Sequence, residues 1–406
     1  MPVKSAPVKS VPVKSASKLL QATDLVADLL IVGGGVLGLW AAKYAADAGM
    51  RVVLIDKKRC GSGGSRGLLG ALAPHLPNAT NEKKRFQLHA LDELPGLVAE
   101  LEEQSGLSAN YGQTGRLMPI RVPGFQKRVE RCILEAPMNW QLGRRSYQFE
   151  QVDAAQYEGW VNPELASLGL AFDNLSARVV PRSLMQVLFA SVMDRIEIIE
   201  DCELISFDRQ ARRAALCEGR MILADKIVLS AGFETYELLK PLVGSDLGHG
   251  VKGHSSLFEL DGVSHQPSLY DNGVYVVPHA DGTVAVGSSS QNEWSDEHGV
   301  DEGHCMPYIE RAKELCPALR GGRFLTHWAG VRPRSFAKEP IVGALDERGD
   351  VHVLTGGFKI SFGIAHRLAQ AFVERLLGSD QKVSLPASYK VSYHLEEAKK
   401  TSRGGE

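Results

Sequence analysis

Asp28-Leu-Leu-Ile-Val-Gly33-Gly34-Gly35-Val36-Leu37-Gly38, then an alanine-rich stretch, then Arg51-Val-Val-Leu-Ile-Asp56 decide the fold of this chain. An apolar run without a turn residue predicts a buried parallel strand. The glycines after it have the spacing G-x-G-x-x-G, and each has a physical task. Gly33 makes the tight turn, Gly35 lets backbone approach a pyrophosphate, and Gly38 allows close helix–strand packing. A helix over residues 36–48 then turns its N-terminal N–H groups, those of Val36 and Leu37 among them, and its partial positive charge toward the phosphates. Asp56 ends the second strand 18 residues after Gly38, where an acid accepts hydrogen bonds from a ribose. Together these features predict a dinucleotide-binding βαβ unit, open at this point to NAD or to FAD.

Outward from that unit, 406 residues are enough for a large core and two domains. Basic and acidic residues number 46 and 48, a balance that argues against nucleic-acid binding. Six cysteines without C-x-x-C or zinc spacing suit reduced thiols and a cytoplasmic location. No apolar run reaches the length of a membrane span. Pro-Val-Lys-Ser recurs at 2–5, 7–10 and 12–15, too polar to bury surface, so residues 1–24 are expected as a disordered repeat tail rather than a signal.

Further along, a loop is expected over 57–80 and a helix over 81–105, kinked or divided at Pro95. Residues 112–150 read as strands and irregular segments. A helix over 181–193 begins with proline, and short strands follow to residue 230. A β-rich stretch over 251–324 contains an Asp281-Gly282 hairpin turn and one helix near 306–315. Strand, glycine turn and helix return between 350 and 377. The nucleotide domain is therefore expected as discontinuous: 25–110, 170–235 and 325–385. The second domain takes 111–169 and 236–324, and 386–406 form a C-terminal tail.

Four segments carry a resemblance to the D-amino-acid-oxidase-like family of FAD enzymes, in its glycine oxidase and sarcosine oxidase branch. The resemblance spans residues 28 to about 372. Cys60-Gly-Ser-Gly-Gly-Ser65-Arg66-Gly67-Leu68-Leu-Gly-Ala-Leu72-Ala-Pro-His75 resembles the family's flavin-wrapping loop, in which small residues admit close backbone approach. Tyr275-Val-Val-Pro-His279 resembles the strand that roofs the substrate site. Trp328-Ala-Gly330-Val-Arg332-Pro333 resembles W-A-G-L-R-P, whose arginine binds the substrate carboxylate; the tyrosine–arginine spacing of 57 is also the family's. Thr355-Gly-Gly-Phe358-Lys359-Ile360-Ser361-Phe362-Gly363 resembles the last flavin turn, with Lys359 where the family has a cationic anchor.

The resemblance implies an α/β fold, with a discontinuous Rossmann-like FAD domain and an inserted β-rich α+β substrate domain. It extends the flavin cradle to Lys57, Glu203, Ala231 and Gly232, with Lys359 and the backbone of Ile360–Phe362 near the ring. The sarcosine oxidase branch attaches its flavin to a cysteine; that position falls on Gly330, which implies non-covalent FAD. Lys57 and Lys58 are expected to be solvated, Arg334 to be a surface charge, and histidines such as His75 to be packing residues without metal-ligand spacing.

The implied chemistry is oxidation of the C–N bond of glycine, sarcosine or a D-amino acid, with the carboxylate on Arg332 aided by Tyr275 and Lys359. Hydride passes to the flavin, the imine hydrolyses, and oxygen is reduced to hydrogen peroxide. Three alternatives stay open: a dehydrogenase feeding a quinone or carrier, a 2-hydroxy-acid substrate, and a non-catalytic flavin-binding subunit.

Overall fold

The computed structural model describes residues 25–379 and 381–403. The repeat expected as a tail lies outside these residues. Strand β1 (Leu25–Val32), helix α1 (Val36–Asp47) and strand β2 (Val52–Ile55) form the opening unit. Leu29, Leu30 and Ile31 are fully buried, because β1 is covered on both faces; this explains its continuous apolar run. Around it an eight-stranded sheet runs in the order Glu197–Ile199, β2, β1, Met221–Leu229, Arg213–Leu216, Leu204–Asp208. The Met221–Leu229 strand also pairs in parallel with Val351–Thr355, whose antiparallel neighbour is Ile341–Ala344.

Four helices bury their apolar stripes against one face: α1, Glu82–Ser105, Pro181–Val192 and Ser361–Leu377. The opposite core contains Ile55, Ile227, Tyr236, Leu239 and Val391. The carboxyl ends of β1, β2, Met221–Leu229 and Val351–Thr355 lie together, the usual ligand position in an open parallel sheet.

A second eight-stranded sheet joins Arg323–Ser335, Gly248–Glu259, Thr283–Gly287, Val274–Pro278, Ser268–Asp271, Arg116–Pro119, Leu170–Asp173 and Phe149–Val152 in that order. Its residues alternate between two faces with period two. Val274 and Val276 join the core that contains helix Glu302–Leu315, while Tyr275 and Val277 face Leu68. Thus the outer sheet offers one face to its helix and the other to the glycine-rich loop.

Four expectations differ from what is observed. Residues 82–105 form one uninterrupted helix despite Pro95, capped by the Asn81 side chain accepting from the Lys84 N–H. The segment expected as strands contains helix Pro123–Asn139, with Val129, Cys132 and Ala136 on its buried stripe. Leu170–Asp173 and Arg323–Ser335 belong to the outer sheet, although the boundaries at 170 and 325 placed them with the nucleotide domain. Beyond residue 386 the chain forms helix Val391–Arg403; Tyr389, Val391 and His394 are buried, so packing rather than a free tail ends the described chain.

Candidate functional site

The glycine turn is shaped by contact distances. Gly33 has φ +106°, and a Cβ there would sit 2.5 Å from the Ser230 carbonyl oxygen. At Gly38 a Cβ would lie 1.9 Å from the Gly33 carbonyl oxygen, so helix and turn come together only without a side chain. Asp56 fastens the turn: its carboxylate accepts from the Gly34 N–H at 2.7 Å and the Lys58 N–H at 2.9 Å. Burial raises its pKa, and these two hydrogen bonds oppose the rise. The Val36 N–H at the start of α1 donates to Ser65 Oγ at 3.0 Å, tying the helix to the long loop.

From this turn a cavity of about 530 Å³ runs between the two sheets. Gly33, Gly35, Val36, Leu37, Asp56, Lys57, Glu203, Ala231 and Gly232 line one end. Ser65, Gly67, Leu68 and Leu72 form a wall, and Ile360, Ser361 and Phe362 close another side at the start of a helix. Buried His279 supports the wall through the Leu68 carbonyl, 3.0 Å from Nε2. Burial lowers the pKa of this imidazole to about 4, so it is neutral and Nε2 carries the donated proton.

The cavity fits an extended dinucleotide with an unphosphorylated ribose. Lys57 is paired with Glu234, and Lys58 lies 3.3 Å from Glu297, so neither lysine is the free cation that a 2′-phosphate would need. Both had been expected as solvated charges. Three residues assigned to the cradle do not line it. Gly38 lies behind the turn, the exposed Arg66 points away, and a Cβ at Gly330 would meet the Trp328 ring at 2.3 Å. His75 also lies off the cavity.

Tyr275, Arg332 and Lys359 also line this cavity. Arg332 Nη1 donates to Ser288 Oγ at 3.2 Å, and Nη2 to the Ser289 carbonyl at 2.7 Å. Its Nε–H has no partner. Burial lowers the pKa of the guanidinium to about 10, and no acid among the described residues pairs with it. A half-buried cation with an unused donor and no acid partner can receive an anion. Lys359 is pushed down to about 8, first by burial and then by repulsion from Arg332 and Arg334.

Sequence reasoning did not identify the support beneath Tyr275. Arg116 and Asp173 form a buried ion pair at 2.8 Å, and the Arg116 charge acts on the tyrosine hydroxyl. Burial raises the tyrosine pKa while Arg116 opposes that rise, so the phenol stays protonated at neutral pH. The available signal was one arginine and one aspartate, each set within an apolar strand.

Comparison with known proteins follows this geometry. Glycine oxidase from Pseudomonas aeruginosa is 26% identical over 375 residues, covering 89% of this chain and 97% of that protein. Glycine oxidase from Pseudomonas putida is also 26% identical, over 380 residues with the same coverage. The crystal structure of glycine oxidase from Geobacillus kaustophilus superposes with a TM-score of 0.80 at 20% identity, over 90% of this chain and 98% of that one. That likeness shows a shared fold. Residues 28–371, from the first strand through the helix that closes the cavity, match the FAD dependent oxidoreductase (DAO) family, and the chain belongs to it.

Proposed function

We propose that this FAD-dependent oxidoreductase oxidises the Cα–N bond of a small amino acid or N-substituted amino acid. The carrying observation is Arg332, a half-buried guanidinium that lines the cofactor cavity, has no acid partner among the described residues and keeps an unpartnered Nε–H. A carboxylate there would satisfy the donor and neutralise the charge. Ser288 and the Ser289 carbonyl hold the guanidinium in place before substrate arrives. Tyr275, packed 4.5 Å from Tyr270 between ring centroids and kept acidic enough by the Arg116 charge to offset part of its burial, supplies a hydroxyl and an apolar face. Bound FAD supplies the hydride acceptor. The side chains contribute position and electrostatics, keeping water away while the amine lone pair assists loss of the Cα hydride. The imine then hydrolyses to a 2-oxo acid and ammonia, or, for an N-substituted substrate, to a 2-oxo acid and the amine that carries the substituent.

Similarity to glycine oxidases supports glycine-type substrates and oxygen as the electron acceptor. Glycine at position 330 supports non-covalent FAD. Six unpaired cysteines support a cytoplasmic location, and no helix among the described residues is long and apolar enough to cross a membrane. The test is anaerobic mixing of holoenzyme with glycine, sarcosine, D- and L-amino acids and 2-hydroxy acids, followed through the visible flavin band. Bleaching by one or more of the amines supports the proposal; bleaching by hydroxy acids alone would replace it. Reoxidation by oxygen compared with a quinone then separates oxidase from dehydrogenase.

A further inference from the structure

Cys202 and Cys217 lie 15 positions apart in the sequence, and their sulfurs are 3.7 Å from each other. The hairpin of strands Leu204–Asp208 and Arg213–Leu216 brings them together. Leu204 pairs with Leu216, and one step further the Cys217 N–H donates to the Glu203 carbonyl at 3.0 Å. The Glu203 N–H donates back to Cys217 Sγ at 3.3 Å, which fixes that sulfur beside its partner. The two thiols differ in their surroundings. Cys217 is exposed, whereas Cys202 is 2% exposed and lines the cofactor cavity with Glu203 and Leu204. The Cys202 N–H donates to the Asp56 carbonyl at 2.9 Å, and the Asp56 carboxylate holds the glycine turn. Cys202 Sγ also lies 3.6 Å from a carboxylate oxygen of Glu218, itself paired with Arg220. Burial first, then Cys217 and Glu218, push the Cys202 pKa up to about 11, so this thiol keeps its proton at neutral pH.

We propose that the pair is a site of peroxide modification, in which Cys217 is oxidised first and Cys202 then closes a disulfide that loosens the hold on FAD. The exposed thiol is the one that a peroxide meets. The Cys217 sulfur attacks a peroxide oxygen: an S–O bond forms, the O–O bond breaks, and the thiol proton leaves with the other oxygen as water. The Cys202 sulfur then attacks the sulfenic sulfur, forming S–S and breaking S–O. Glu218 takes the Cys202 proton and passes it to the departing hydroxide. In sum two thiols lose two electrons, and one hydrogen peroxide becomes two waters. A disulfide holds its sulfurs about 2.05 Å apart, so the side chains close a gap of about 1.6 Å. That movement draws Cys202 away from a wall shaped with the thiols apart, beside the residue that fastens the glycine turn. An oxidase reaction at the flavin would release the same oxidant, but the inference stands apart from it, because peroxide is added directly in the test.

Reduced holoenzyme is treated with hydrogen peroxide, quenched with a thiol alkylator and mapped by mass spectrometry without reduction. The expected product is a Cys202–Cys217 cross-linked peptide within one chain, reopened by dithiothreitol. In Cys202→Ser, Cys217 should stop as a sulfenic acid that dimedone captures; in Cys217→Ser, Cys202 should remain a thiol. Free-flavin fluorescence on serial dilution reads the hold on the cofactor. The cross-linked holoenzyme should have a Kd for FAD about threefold or more above that of the reduced form, and Cys217→Ser should abolish the difference. Wild-type Cys217 ending as a sulfinic acid, or pairing only with another chain, would overturn the site. Equal FAD affinity of cross-linked and reduced forms would overturn the coupling. If Cys202→Ser does not fold, the wild-type peptide map and Cys217→Ser decide it.

Discussion

Replacing Arg332 by leucine removes the charge while keeping bulk in the cavity wall. In the structure the guanidinium is half-buried, so its attraction for a carboxylate is only partly screened. Its free Nε–H and a neighbouring N–H can give two charge-assisted hydrogen bonds, each worth about 1.5–3 kcal/mol. Their loss is therefore about 3–6 kcal/mol, or ~10²–10⁴ in kcat/KM at about 1.4 kcal/mol per tenfold. The leucine also leaves Ser288 and the Ser289 carbonyl without the donors they accept from, so the lower half of that range is expected. Steady-state kinetics with the best substrate should show the loss mainly in KM. The visible flavin spectrum should persist, because the glycine turn, Asp56 and the Ser65–Leu72 wall of the cavity are left intact. A KM changed less than about threefold, roughly 0.7 kcal/mol, with FAD fully bound would refute the assignment.

Other consequences can be checked separately. Lys359 has its pKa lowered to about 8, so it carries charge below that pH and loses it above; the affinity of holoenzyme for an inert carboxylate should fall as pH rises through 8. Lys359→Arg should remove that step, and a flat wild-type profile between pH 7 and 9 (about one unit either side of the titration) would contradict it. Gly38→Ala places a Cβ against the Gly33 carbonyl oxygen; a loss of about 1–3 kcal/mol and weakened FAD retention are expected, and an unchanged Tm with full flavin would contradict the packing account. His279, His352 and His366 are buried with pKa lowered to about 4, 4 and 3. Because the unfolded chain binds protons near pH 6.5 and these sites do not, stability should drop as pH falls from about 6.5 toward 4. Urea midpoints across that window measure it, and His279→Gln should make the slope shallower; an unaltered slope would remove His279 from the account.

Much of the nucleotide-binding half was legible because its rules are local. The β1 run, the glycine spacing and Asp56 are encoded within 29 consecutive residues, 28–56, and the parallel pairing of β1 with β2 follows from them. Helix Pro123–Asn139 falls in the stretch read as strands and irregular segments, and it carries two prolines and a glycine. Pro123 occupies the favoured first turn, Pro137 falls in the last, and the stripe of Val129, Cys132 and Ala136 was the overlooked signal. Val391–Arg403 has only a few core-facing residues, and their partner strand Ile341–Ala344 is distant in sequence.

The candidate site was legible at motif positions and less so between them. Tyr275, Arg332 and Lys359 were named from spacing and resemblance, and the fold brings them to one cavity. Arg334, read as a surface charge, lies partly exposed over Phe358, whose left-handed backbone the sequence does not announce. Arg116 and Asp173 lie 57 positions apart, and only adjacent antiparallel strands make them partners. Lys57 and Lys58 likewise acquire acid partners from segments far along the chain.

The central claim is that Arg332 receives a substrate carboxylate within the flavin cavity. A crystal structure of holoenzyme soaked with an unreactive carboxylate tests it most directly. The account predicts FAD along the cavity from Gly33 to Arg332, with a carboxylate oxygen about 2.7–2.9 Å from Arg332 Nε. A carboxylate bound elsewhere, with Arg332 Nε still unpartnered at full flavin occupancy, would contradict it.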